Sequence, residues 1–86
     1  MYYVYIIHSV SAERYYIGSA EDWGKRLKRH NGGQVRSTKA YVPWELAHVE
    51  EYPDRTEARK RELQLKHFKS GDAFRNLVRA RSAPRE

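Results

Sequence analysis

The sequence contains no cysteine. That excludes a disulfide scaffold, a thiolate zinc site and a cysteine nucleophile, and it fits a reducing compartment. Its four histidines, His8, His30, His48 and His67, include no pair at the spacing of about three to five residues used by structural zinc sites. No run approaches the ~20 apolar residues of a membrane span. The stretch from Met1 to His8 has no cationic region ahead of an apolar one, so it does not read as a signal peptide. The expectation is a cytoplasmic protein with no membrane contact. With 86 residues, the chain has room for one domain, assigned to 1–80, with 81–86 as a frayed tail. A domain of this size hides only roughly 60% of the surface its unfolded chain exposes. A deep cavity for a small-molecule cofactor is therefore not expected, and any chemistry belongs in a shallow cleft.

Acidic residues are missing from one long segment. Between Lys25 and Lys39 stand six bases, Lys25, Arg26, Lys28, Arg29, Arg36 and Lys39, and no acid, whereas Glu45 to Asp54 carries four acids and no Lys or Arg. From Arg55 to Glu86 there are ten bases and four acids, and the whole chain has a formal net charge of +6. Two positive regions thus flank a negative one. A polyanion is the natural partner, and nucleic acid outranks an anionic membrane because no helix pairs a basic face with a broad apolar one.

What the chain has in quantity is tyrosine, with seven. Residues 2–7 are β-branched and aromatic throughout and read as a first strand, buried on both faces at its centre. Residues 14–18 read as a second strand, joined to the first by a hairpin. A turn centred on Val10 and Ser11 puts Tyr5 opposite Tyr16 and Tyr3 opposite Gly18, with two phenols on one face. Gly18 reads either as the end of that strand or as a place where a phosphate can approach the backbone.

Ser19 with Asp22 resembles a capping box for a helix that runs to His30 and stops at Asn31-Gly32-Gly33. On it Trp23, Leu27 and His30 follow the i, i+4, i+7 rhythm, and Arg26 and His30, four apart, can project into one cleft. Residues 34–42 read as a loop, and 44–52 as a third strand. Asp54 with Glu57 opens a long helix to about Lys69, and 70–72 lead into a shorter helix over about 73–79. Trp23, Leu27, Trp44, Leu65 and Phe68 are assigned to the core. Glu62 lies at the border of the apolar stripe of the long helix, where an i+4 pair with Lys66 is its plainest role.

In order along the chain stand Tyr3-Val4-Tyr5, Tyr16-Ile17-Gly18, then Arg26 and His30 on the next helix, and Glu62 on a later one. This set resembles the GIY-YIG nuclease superfamily over about residues 1–80, with Tyr3 in place of the first Gly and Val4 in place of Ile. Residues 35–39 before Pro43-Trp44, and Glu50-Glu51 before Arg55-Thr56-Glu57-Ala58, look like its small stand-alone bacterial members. The resemblance implies an α+β fold: a small three-stranded antiparallel sheet flanked by helices, in the order β-β-α-β-α-α. It also implies hydrolysis of phosphodiesters in DNA with one divalent ion, Mg2+ or Mn2+. Tyr5 and Tyr16 would orient or activate water, Arg26 would contact the scissile phosphate, His30 would assist the tyrosines, and Glu62 would bind the metal.

The chemistry agrees with this division. Attack on a phosphodiester adds negative charge to its oxygens, which a fixed guanidinium and a divalent ion stabilise more in the transition state than in the ground state. Magnesium takes only one or two carboxylates plus waters and substrate phosphates, so a solitary Glu62 suffices. A tyrosine of ordinary pKa lies about 3 units from neutrality, roughly 4 kcal/mol from phenolate at pH 7. Either neighbouring positive charge lowers that cost, or His30 takes the proton through a phenol relay. Lys25, Lys28, Arg29, Arg36 and Lys39 would hold the DNA backbone, with branched, nicked and single-stranded DNA as candidate substrates. With no appended DNA-binding region, recognition rests on DNA shape or on a protein partner. The alternatives are a non-catalytic nucleic-acid-binding module of the same fold and a protein-interaction domain.

Overall fold

A computed structural model describes residues 1–67, 69 and 74–78. Three antiparallel strands, β1 (Tyr2–Ser9), β2 (Tyr15–Ala20) and β3 (Trp44–Tyr52), form one sheet in the order β2-β1-β3. Helix α1 (Trp23–Asn31) follows β2, helix α2 (Arg55–His67) follows β3, and residues 74–78 are helical again. This is the expected β-β-α-β-α-α order. Among the described residues no helix is long and apolar enough to cross a membrane.

Strand β1 is central, so both its faces are covered, which is what its unbroken apolar run requires. Val4, Tyr5, Ile6 and Ile7 are all buried, and fully burying each of the aliphatic three contributes roughly 1.5–3 kcal/mol. Alternation sorts them between two cores. Val4 and Ile6 pack with Ile17, Ala47, Ala58, Leu65 and Phe74 on the α2 side, and Tyr5 and Ile7 pack with Trp44, Tyr16, Trp23 and Leu27 on the α1 side. The core assignment holds for Trp44 and Leu65, whereas Trp23 and Leu27 are only half-buried. Phe68, residues 70–73 and the proposed tail 81–86 lie outside the described residues.

The hairpin register differs from expectation by two residues. Tyr5 pairs with Gly18, Tyr3 with Ala20 and Ile7 with Tyr16. Nothing at Val10 or Ser11 favours the positive φ of a tight two-residue turn, so the chain spends four residues on the loop. Ser9 N donates to Arg14 O at 2.8 Å, the Ser9 hydroxyl accepts from Ala12 N at 3.1 Å, and Glu13 takes a left-handed φ of 51°. Because the slip is an even number, Tyr5 and Tyr16 still share a face. Between β1 and β3 the register shifts at Ile6/Ile7, which face His48 and Leu46. The extra residue, Ala47, turns into the α2-side core, and Leu46 and Val49 fall together on the α1 side.

The start of α1 also differs. Asp22, not Ser19, is its N-cap and accepts from Lys25 N at 3.0 Å; Ser19 stays in β2 with its hydroxyl committed elsewhere. At the other end Gly32 N–H donates to Lys28 O at 2.8 Å and Gly33 N–H to His30 O at 3.2 Å. Helix α2 begins as expected, with Asp54 Oδ1 accepting from Glu57 N at 2.9 Å. The segment expected as a loop over 34–42 contains a 3-10 turn, Lys39–Tyr41, and is tied down at several points. Trp44 Nε1 donates to Thr38 O at 3.0 Å, the Ser9 hydroxyl donates to Tyr41 O at 2.7 Å, and Asn31 bonds both backbone groups of Trp44. These bonds hold Thr38 in the interior, 2% exposed.

Candidate active site

The site forms around β2, one of the two edge strands of the sheet. Tyr5 comes from β1, Tyr16 and Gly18 from β2, Arg26 and His30 from α1, and Glu62 from α2. The Tyr5 ring lies 6.3 Å from that of Tyr16 and 6.1 Å from that of His30, and the Tyr16 and His30 rings are 4.7 Å apart. Gly18 makes this possible. It is buried inside β2 rather than at its end, and a Cβ there would stand 2.6 Å from Tyr5 Oη. The first close approach at Gly18 is thus the protein's own phenol.

A chain of hydrogen bonds runs inward from that phenol. Tyr5 Oη lies 3.3 Å from His30 Nε2, His30 Nδ1 lies 2.8 Å from Thr38 Oγ1, and the Thr38 hydroxyl donates to Val35 O at 3.3 Å. A carbonyl only accepts, so the polarity follows from that end. Thr38 gives its proton to Val35 and accepts from His30 Nδ1–H, which leaves Nε2 as the lone-pair nitrogen receiving Tyr5 O–H. Burial pushes the imidazole pKa down, and the charges of Arg26 and Arg29 push it further the same way. At neutral pH His30 is a neutral acceptor. Burial pushes the Tyr5 pKa up, and the Arg26 guanidinium beside it offsets that only in part. Arg26 alone therefore does not outweigh burial at Tyr5.

Arg26 Nε is a buried donor without an acceptor among the described residues. Arg26 also lines a cleft of about 330 Å3 with Ser19, Lys25 and Arg29. Of the other expected backbone-binding residues, Lys28, Arg36 and Lys39 are exposed but stand outside this cleft.

Glu62 reaches the same edge from the opposite face of the sheet, since Ser19 alternates with Gly18 and points toward α2. Its Oε1 accepts from the Ser19 hydroxyl at 2.7 Å and its Oε2 from Lys66 Nζ at 2.9 Å. The pairing expected from spacing is therefore present, but so is a second bond to the strand that carries Gly18. Glu62 is 6% exposed. Burial pushes its pKa up, yet the bonds from Lys66 and Ser19 hold it below the usual carboxylate range. Its negative charge is felt at Tyr5, where it raises the phenol pKa. The five residues thus gather around one strand, four on one face and the acid on the other.

Residues 1–71 match the sequence profile of the GIY-YIG catalytic domain. The chain is 37% identical over 68 residues to a UPF0213 protein of Staphylococcus saprophyticus, covering 78% of this chain and 82% of that one. It is 34% identical over 69 residues to a UPF0213 protein of Halobacterium salinarum, covering 79% and 88%. The solution NMR structure of a UPF0213 protein from Bacillus halodurans superposes with a TM-score of 0.59 at 29% identity, covering 98% of this chain and 89% of that chain.

The chain belongs to the GIY-YIG family.

Its relatives here are small stand-alone members, as the resemblance implied. Membership carries an endonuclease-like domain in general terms, a nucleic-acid substrate and the family's general use of a divalent metal. Two residues that bond the candidate site of this GIY-YIG domain escape a reading of the sequence. Ser19 looks like a helix cap, and Thr38 sits in a polar stretch with nothing to mark it as buried. Only the fold shows that each bonds a site residue.

Proposed function

We propose that this GIY-YIG domain is a DNA endonuclease that uses a divalent ion, Mg2+ or Mn2+, and cleaves by water attack on a phosphodiester at the edge of β2. The observation that carries this reading is the directed chain from Tyr5 O–H to a neutral His30, beside the unpartnered donor of Arg26. Water attacks phosphorus while passing a proton to Tyr5 Oη, Tyr5 passes its own to His30 Nε2, and the bond from phosphorus to the leaving oxygen breaks. The leaving oxygen takes a proton from solvent water. Tyr16, its ring 4.7 Å from that of His30, orients the attacking water, and Arg26 Nε meets the extra charge on the phosphate oxygens.

The donor set suits a hard ion with few protein ligands. Among the described residues no group of three or more His, Asp or Glu gathers, whereas Glu62 offers a buried carboxylate. One of its oxygens is held by a Lys66 side chain that is 49% exposed and free to swing toward solvent. Glu62 would hold the ion, which supplies Lewis-acid stabilisation of the phosphate and its leaving oxygen.

The test is incubation of the purified protein with branched, nicked and single-stranded DNA, with and without magnesium or manganese. Metal-dependent cleavage that disappears in Glu62→Gln and Tyr5→Phe is expected. Because His30 must be neutral, activity falls on the acid side only below the ordinary imidazole range. Inert protein on every substrate, or a Glu62→Gln variant as active as the parent, overturns the proposal. Binding without cleavage would leave a non-catalytic module of this fold.

A further inference from the structure

A second, larger cleft of about 640 Å3 opens at the other end of β2. The mechanism above uses only its Tyr16, and its cations come from distant segments: Arg14 from the hairpin, Lys66 from α2 and Lys69 just beyond it. Its floor is aromatic. Tyr16 and Tyr41 line it, and the Arg14 guanidinium lies 4.4 Å above the Tyr41 ring.

One of its walls, Tyr16, belongs to the site itself, with its ring 4.7 Å from that of His30. Two more are one contact away: Thr38 bonds His30 Nδ1, and Lys66 pairs with Glu62. The opening thus adjoins the site described above. The three cations crowd one another: burial and the charges of Lys66 and Arg14 push the Lys69 pKa down. The acids in reach are Glu13, whose side chain is 92% exposed at the rim, and Glu62, which already engages Lys66. An anion entering here relieves like-charge repulsion as well as gaining contacts. The volume is in the range of small-ligand sites, and a planar cation over a tyrosine ring is the surface on which a nucleobase stacks.

We infer that this cleft is a nucleotide subsite: it takes the nucleotide next to the scissile phosphate, its phosphate against Arg14, Lys66 and Lys69 and its base against Tyr16 and Tyr41. The inference rests on the endonuclease reading and extends it. The bound DNA strand lies along the outer edge of β2, between this cleft and the smaller one lined by Lys25, Arg26 and Arg29. Such a path demands an unpaired or frayed strand at the site, because a base inside a duplex cannot reach a ring on the protein.

Two arms test it, and neither depends on cleavage. In the first, amide chemical shifts of the full chain are followed on addition of deoxyadenosine monophosphate or inorganic phosphate. Shifts at residues 14–16, 37–41 and 66–69 with the nucleotide, larger than with phosphate alone, are expected. In the second, binding of a short single-stranded DNA is measured in the Glu62→Gln background, with and without Arg14→Gln and Lys69→Gln, both exposed positions. The pair should weaken binding roughly tenfold at low salt and reduce the salt slope by about 0.7, the share of one phosphate contact on a single strand. Equal affinity in parent and variants, or nucleotide shifts confined to residues 25–29, overturns the subsite whether or not the protein cuts DNA. Nucleotide binding in this cleft by a protein that never cuts upholds the subsite and defeats the nuclease reading alone.

Discussion

Glu50 and Glu62 are two carboxylates drawn out of water at the helix α2 side of the sheet, and both are held below the usual carboxylate range, yet their surroundings differ in kind. Burial pushes the Glu50 pKa up, but Arg61, Tyr52 and His48 together bring it down to about 2. Arg61 grips both of its oxygens, Nε at 2.8 Å and a terminal nitrogen at 3.1 Å, while His48 and Tyr52 approach to 2.7 and 2.6 Å. Both carboxylate oxygens are engaged, and burial together with the bond to Glu50 pushes the Tyr52 phenol up to about 12. Glu62 has one hydroxyl and one long, half-exposed lysine. A saturated carboxylate fastens β3 to α2, whereas an undersubscribed one beside a free strand edge has capacity for a ligand. A lowered pKa alone does not separate the two; the count and mobility of the partners does.

The contrast is open to direct attack. Glu62→Gln should reduce cleavage about 10²–10³-fold while shifting stability by less than about 1 kcal/mol, as measured by single-turnover assays and urea unfolding. Glu50→Gln should do the reverse, costing roughly 3 kcal/mol of stability with the rate per folded molecule unchanged. If both variants lose activity without unfolding, the distinction between them fails.

Acid titration gives a second handle. The Glu50 carboxyl moves from 4.5 to about 2 on folding, so its contribution is complete above pH ~4.5 and is lost as pH falls from there toward 2. Unfolding free energy followed from pH 6 to pH 3 should drop in the parent and drop much less in Glu50→Gln. Gly18→Ala probes the ground between the two regions: its Cβ would displace the Tyr5 phenol, costing about 1–3 kcal/mol and most of the activity together. The smallest effect belongs to Lys66→Met, whose i, i+4 pair is worth a few tenths of a kcal/mol in thermal unfolding.

Much of the architecture was legible because it is local or periodic. The apolar run of β1, the Asp54 cap and the helical spacing of Arg26 and His30 depend on neighbours a few residues away. The hairpin was misread by two residues because loop length turned on the Ser9 hydroxyl and the left-handed Glu13, which no Asn-Gly signal announced. The phenol pair survived that error since strand faces repeat every second residue. Ser19, Thr38 and the cations of the larger cleft were invisible for a different reason. Their partners lie 43 residues away for Ser19, and across separate segments for Arg14 and Lys69. Composition showed basic regions at 25–39 and beyond Arg55, but not that Lys25, Arg26 and Arg29 border one cleft and Lys66 and Lys69 another.

The hydrogen-bonded series behind Tyr5 ends on the main-chain oxygen of Val35, which also accepts the amides of Thr38 and Lys39, each at 3.0 Å. With its hydroxyl proton on that oxygen, Thr38 receives Nδ1–H, and the imidazole turns its other nitrogen to the phenol. A tight main-chain turn far from the two tyrosine motifs thereby anchors the inner end of a series that opens at Tyr5.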